Sequence, residues 1–181
     1  MWMAMAALLL LGNIAHGKSE PLERFQDWEL WVDVDPMGER KPEYFIEVMT
    51  PIKTSEGKPI QKSPGRQETA QLMVECEELI HLYVKHDKQI YGNRWTEIRA
   101  IWISGEKNET HHISGGSPKY AGVLIKLRNR KKPTLMTLMR RWEEVMLEIA
   151  VDRRYVYLPF SLRGFTEASK ALDAKCKSIQ E

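Results

Sequence analysis

The stretch Gln71-Leu72-Met73-Val74-Glu75-Cys76-Glu77-Glu78-Leu79-Ile80-His81-Leu82-Tyr83-Val84-Lys85 decides the fold. Side chains alternate across a strand, so Leu72, Val74 and Cys76 share one face and Met73 and Glu75 the other. In the second half, Ile80, Leu82 and Val84 oppose His81, Tyr83 and Lys85. Glu77-Glu78 is the polar break between two such runs and predicts a tight hairpin. Cys76 then points inward with Leu72 and Val74.

The second cysteine lies near the other end. Thr166 to Lys175, after Gly164, reads as a helix. At about 100° per residue, Phe165, Ala168, Leu172 and Cys176 stay within one narrow stripe. Both thiols therefore belong to apolar faces. Two readings follow: a bridge pinning the terminal helix to the hairpin, or two buried free thiols. The N-terminus bears on the choice. Met1 to Gly12 carries no charge and includes the apolar run Ala6 to Leu11, and Ala15-His16-Gly17 places small residues at the −3 and −1 positions of a cut after Gly17. This is the pattern of a signal peptide over residues 1–17, although its leading region lacks Lys or Arg. An uncleaved anchor is the alternative; the apolar core falls short of the roughly 20 residues of a membrane span. Export implies a periplasmic or secreted protein and a Cys76–Cys176 disulfide. Closing about 100 residues, that bond is worth up to roughly 4–5 kcal/mol in the chain-entropy view.

Residues 18–27 are polar and read as a flexible N-terminal arm, and 28–181 as one domain with a sizeable core. The formal net charge of +2 does not call for nucleic acid. Charge is uneven, however: Glu20 to Thr50 holds nine acids and three bases, and Gly122 to Trp142 seven bases and no acid.

Trp28 to Asp35 alternates Trp28, Leu30, Val32 and Val34 against Glu29, Trp31, Asp33 and Asp35, a half-buried strand. Tyr44 to Thr50 is a second strand. Thr54 to Thr69, with Gly57, Pro59, Pro64 and Gly65, is the longest loop candidate. Beyond the hairpin, strands are predicted at Thr96–Ser104, His111–Ser114 and Val123–Leu127, and a helix from Pro133 through Trp142. Val145–Val151 and Tyr155–Leu162 form a hairpin about Asp152-Arg153-Arg154. About eight short strands and two short helices predict a mainly β, β-rich α+β protein. Its expected form is an antiparallel β-sandwich with the helices at an edge or end.

Leu72-Met73-Val74-Glu75-Cys76, Leu82-Tyr83-Val84, Thr96 to Trp102, His112-Ile113-Ser114 and above all Phe160-Ser161-Leu162-Arg163-Gly164-Phe165 followed by a helix ending in Cys176 carry a resemblance. From about residue 70 to 176 the chain resembles the exported TagO-like (VasI-like) accessory proteins of the bacterial type VI secretion system. Glu75, His112 and Phe165 stand where that family has Arg, Trp and Leu. Similar tails occur in other exported proteins, invasion-associated ones among them. The resemblance implies a periplasmic β-rich fold with a disulfide and an accessory rather than enzymatic role; fold likeness alone does not carry function.

No catalytic constellation is legible: there is no Gly-x-Ser-x-Gly elbow, and Cys76 on an apolar face reads as structural. His81, His86, His111 and His112 lack metal-ligand spacing, and neighbours on a strand point to opposite faces, so neither metal nor cofactor is expected. Lys126, Arg128, Arg130, Lys131 and Lys132 form the densest charge run. Without interleaved aromatics they do not suggest nucleic acid. They read as a solvated loop, or as a contact for anionic lipid, lipopolysaccharide or an acidic partner. Asn108-Glu109-Thr110 is a glycosylation sequon only in a eukaryotic source. Trp31, Trp95 and Trp142 sit in polar surroundings, either tucked against the core edge or exposed in an interaction patch. The expected function is a non-enzymatic protein-interaction or assembly module of a bacterial envelope that docks an envelope protein through a loop or sheet edge. The alternative is a periplasmic carrier of a small ligand, lipid or metal.

Overall fold

The structure is a computed structural model, and it describes residues 18–63, 66–85, 96–116, 123–128, 133–151 and 154–179. The chain runs β1 (Lys18–Phe25), β2 (Trp28–Val34), β3 (Glu43–Pro51), β4 (Gln61–Ser63), β5 (Arg66–Gln67), β6 (Thr69–Glu75), β7 (Leu79–Lys85), β8 (Thr96–Ser104), β9 (Lys107–Gly116) and β10 (Val123–Arg128). Helix α1 (Leu135–Arg141), β11 (Glu144–Val151), β12 (Arg154–Ser161) and helix α2 (Phe165–Ser178) complete it. The β-rich α+β class, the two helices and the disulfide tether are as the sequence predicts.

Ten strands form one antiparallel sheet in the order β1-β2-β3-β6-β7-β10-β9-β8-β11-β12, and β4 pairs with β5 apart from it. The two faces of the expected sandwich are thus parts of a single sheet that bends back on itself. Beyond β3 the chain meets β12: Lys53 and Tyr157 exchange backbone hydrogen bonds of 2.9 Å, and the Thr50 hydroxyl donates to the Pro159 carbonyl at 2.5 Å. Pro159 is compatible with this position because β12 ends the sheet and a proline supplies no ladder donor.

The inward phase of each strand makes one core. Trp28 and Leu30, Ile46 and Val48, Leu72 and Val74, Ile80 and Leu82, Ile98 and Trp102, and Leu147 and Leu158 are all buried. Fully burying a side chain of this kind stabilises the fold by about 1.5–3 kcal/mol. α1 contributes Leu135, Met136, Leu138 and Met139 to the same core, and its first turn is capped by the Thr134 side chain accepting from the Thr137 amide. The space left where α1 meets the sheet, between Leu72, Trp102 and Met139, is only about 10 Å³.

Four expectations change. Residues 18–27 are not a loose arm: Lys18–Phe25 pairs antiparallel with β2 along its length. An edge strand can be built from a polar sequence because its ladder is backbone, and Ser19 to Arg24 stay exposed. The loop expected over 54–69 carries β4 and β5, and the returning strand expected at 111–114 extends to Lys107–Gly116. Twelve strands among the described residues replace the expected eight.

The turn after β12 is a tight junction. Phe160, Leu162 and Phe165 are buried, while Ser161 and Arg163 face back toward β2. The Ser161 hydroxyl donates to the Asp27 carboxylate at 2.6 Å, Arg163 reaches it at 3.0 Å, and the Trp28 indole N–H donates to the Ser161 carbonyl at 3.1 Å. Trp28 meets the Phe165 ring edge-on at 4.9 Å. The Ser161 hydrogen bond, more than the Arg163 charge, holds the Asp27 carboxyl below its ordinary 3.8. A lowered folded pKa means that this stabilisation is present above the unfolded value and is lost as pH falls through the folded one. Asp27→Asn is therefore expected to cost about 1 kcal/mol at pH 7, and nothing once the native carboxyl is protonated. Urea unfolding at pH 7 and in acid checks both limits.

Candidate functional site

The disulfide marks the candidate site. β6 ends at Glu75, and Cys76 to Glu78 make a single 3-10 turn in which Glu77 and Glu78 have φ of 65° and 57°. That turn carries the Cys76 sulfur off the strand to the end of α2, where it is bonded to Cys176 with 5.8 Å between the Cα atoms. The predicted stripe holds: Phe165, Ala168 and Leu172 are buried, and Cys176 packs against the core one turn later. Cys76 is half-buried at the core's edge rather than pointing into it, because the strand stops one residue before it.

Beside the disulfide is a cleft of about 640 Å³. Its floor comes from the outward phase of the strands, which the alternation rule would make polar. Register places Trp31 opposite Phe45, Phe45 opposite Glu75, and Glu75 opposite Leu79, one row across four strands. Met73 lies one step along the same face. Phe45, Met73 and Leu79 are half-buried, and Trp31 stacks parallel to Phe45 with centroids 6.5 Å apart. The far wall is Tyr44, the disulfide and Ile179.

The β2–β3 connection forms the rim. The Asp35 carboxylate accepts from the amides of Met37, Glu39 and Arg40 at 3.1–3.2 Å, which folds the connection into a compact turn. The Met37 amide bond leads the causes that lower the Asp35 pKa. Arg40 also stands 3.7 Å from the Asp35 carboxylate. Lys41 spends its ammonium on the Ile179 carbonyl at 2.6 Å, tying the rim to the end of α2, and Lys175 lies 5.9 Å from the centre of the Tyr44 ring.

Glu47 lies two residues from Phe45 on the same outward face. Burial pushes its carboxyl up from the ordinary 4.5; Gln71, which donates to it, pulls the other way, and Glu29, directly opposite on β2, adds to the rise. A raised carboxyl pKa reverses the Asp27 sign: stability increases as pH falls through the folded value toward the unfolded one. Glu47→Gln removes the opposed like charges and is expected to raise stability by about 0.5–1 kcal/mol at pH 7. Denaturant titrations at pH 5 and pH 8 should show a smaller gain at the lower pH.

Of the basic run, Lys126 and Arg128 lie on β10, between β7 and β9; Arg130, Lys131 and Lys132 lie outside the described residues. His81 pairs with Glu75 at 3.0 Å and His111 with Glu109 at 2.7 Å, and His86 lies outside the described residues. His111 shares the inward face with Ile113 while His112 points outward and is exposed. Among the described residues no three His, Cys, Asp or Glu side chains gather as metal ligands would, and no helix is long and apolar enough to cross a membrane. Trp142 is tucked against the core, and Trp95 lies outside the described residues. Sequence reading missed Tyr44, Phe45 and the rim of Arg40 and Lys41. The available signal was the apolar side chains out of phase with their strands: Trp31, Phe45, Met73 and Leu79.

No protein-family model matches the chain, and no curated protein matches it. Among solved structures the chain is similar to one titled as invasion associated protein B from Bartonella henselae, with a TM-score of 0.51 and 12% identity over 86% of this chain and 97% of that one. At that identity the likeness is one of fold.

Proposed function

We propose that the protein is an exported component of a bacterial envelope that works by binding another protein rather than by catalysis. The observation that carries this reading is the Cys76–Cys176 bond, which spans 100 residues and holds the terminal helix against the sheet. Such bonds persist in oxidising compartments and are rare in the cytosol. The signal-like N-terminus agrees with it. So does the fold shared with a protein titled as invasion associated, a likeness that bears on fold and not on role. The resemblance to type VI secretion accessory proteins makes a secretion machine one setting for such a module.

Docking by the outer sheet edge is disfavoured. β1 carries Pro21, a register break between Pro21 and Glu23, and charges at Glu20, Glu23 and Arg24, devices that blunt an edge against a further strand. The apolar outward row and its cleft are the better surface. The cleft also supports a second reading, a carrier of a small ligand. Such a carrier would use this external cleft, because α1 fills the interior that a barrel-type carrier would use. Photocrosslinking residues placed at several exposed positions in the producing cell separate the two. The binding module predicts discrete protein adducts from at least one face. A complete absence of adducts, together with thermal stabilisation by a lipid or metal panel, would favour the carrier.

A further inference from the structure

Resting on the binding-module reading, we infer that the cleft beside the disulfide takes a basic segment of a partner protein, one in which Lys or Arg alternates with apolar side chains. The inference comes from the balance of charge on the cleft. Among the described residues six charged side chains line it: Arg40, Lys41, Asp33, Glu43, Glu75 and Glu77. Of the bases, Arg40 faces the Asp35 carboxylate at 3.7 Å, and Lys41 donates to the neutral Ile179 carbonyl at 2.6 Å and keeps its charge. Of the acids, Glu75 is paired with His81 and Asp33 accepts from Ser19 at 3.4 Å. Glu43 and Glu77 are exposed and have no partner among the described residues. Among the described residues four acids thus outnumber two bases, and the cleft is acidic at its rim and apolar at its floor.

The two properties have a definite spacing. The floor row, Phe45 and Leu79, lies on the outward face of β3 and β7, while Glu43 precedes Phe45 by one same-face step and Glu77 sits in the turn before Leu79. A segment laid along this row would put apolar side chains on Phe45, Met73 and Leu79 and its cations toward Glu43 and Glu77. An anionic lipid headgroup meets the wrong sign here. Opposite potentials at the rim also speed the encounter and make it salt-dependent.

The test uses the full oxidised protein and three fluorescein-labelled decapeptides: alternating Lys and Leu, alternating Glu and Leu, and alternating Lys and Ser. Anisotropy is expected to show binding of the Lys–Leu peptide, at least tenfold weaker binding of Lys–Ser, and none of Glu–Leu. Glu43→Lys with Glu77→Lys should weaken Lys–Leu binding at least tenfold, while Glu143→Lys with Glu167→Lys, both placed away from the cleft, should change it less than twofold. Equal effects of the two double reversals, binding of the Glu–Leu peptide, or self-association abolished by the cleft reversals would each overturn the proposal. In the cell, a photocrosslinker at position 43 should yield a protein adduct. Adducts from position 155 alone would refute the cleft and leave the binding module standing. No adduct from either position would remove both.

Discussion

Reducing the Cys76–Cys176 bond is expected to lower the unfolding free energy by about 3–4 kcal/mol, and Cys76→Ala with Cys176→Ala should do the same. The effect arises largely in the unfolded chain, where a closure spanning 100 residues restricts the accessible conformations. A native contribution comes from α2. A helix of 14 residues is marginal alone, and the core grips it at Phe165, Ala168 and Leu172, all in its first two turns. Past Leu172 it is held by Cys176, by the Lys41 bond to the Ile179 carbonyl, and by an exposed Arg140–Asp173 pair at 3.8 Å. Reduction should therefore fray α2 from its C-terminal end. Hydrogen exchange should show faster amides from Lys175 onward and unchanged protection at Ala168. Because the disulfide and Ile179 are walls of the cleft, peptide binding should weaken with them. Denaturant midpoints measured with and without reductant check the first effect; identical midpoints would mean that the tether contributes nothing.

Gly164→Ala is expected to be as damaging, at about 3–5 kcal/mol. Gly164 has φ of +83°, a conformation that a side chain disfavours by about 1–2 kcal/mol. Steric conflict adds more than this backbone strain. A Cβ at this position would lie 2.0 Å from the Phe25 carbonyl oxygen and 2.7 Å from its carbon, both backbone atoms that cannot rotate aside. Relief requires β1 to part from the turn, which disturbs the Trp28–Phe165 contact and the Ser161 and Arg163 bonds to Asp27. Gly57, at φ of +77° with open space around it, is the internal comparison. Gly57→Ala should introduce the backbone strain alone, a loss of about 1–2 kcal/mol. Equal losses in the two variants would show that the Phe25 contact is not what makes Gly164 necessary.

These two positions show which parts of the fold were legible in the sequence. The hairpin around Cys76 and the terminal helix follow from periodicity alone, because one face of each is apolar and the other polar. The Phe160–Phe165 segment was recognisable as a motif, yet its physical role was not, since that role depends on Asp27 and Phe25, more than 130 residues away in sequence. β1 was misread for a related reason. An edge strand needs backbone partners and no apolar face, so its polar sequence carried no period to detect. The bend that makes one sheet serve as both faces of the sandwich depends on the Lys53–Tyr157 exchange, again a long-range pairing. The cleft was hidden differently. Its floor residues appear in the sequence as exceptions to alternation, and their common row emerges only when four strands are placed in register. The basic run stands out by its density, whereas the charge that lines the cleft among the described residues is mostly of the opposite sign.

The most direct test of the envelope reading is the intact mass of the protein recovered from the producing cell, alkylated before and after reduction. Export and the tether predict a mass lacking residues 1–17 that gains two alkyl groups only after reduction. A full-length mass with both thiols alkylated without reduction would contradict that reading, since the bond that carries it would then be absent where the protein works.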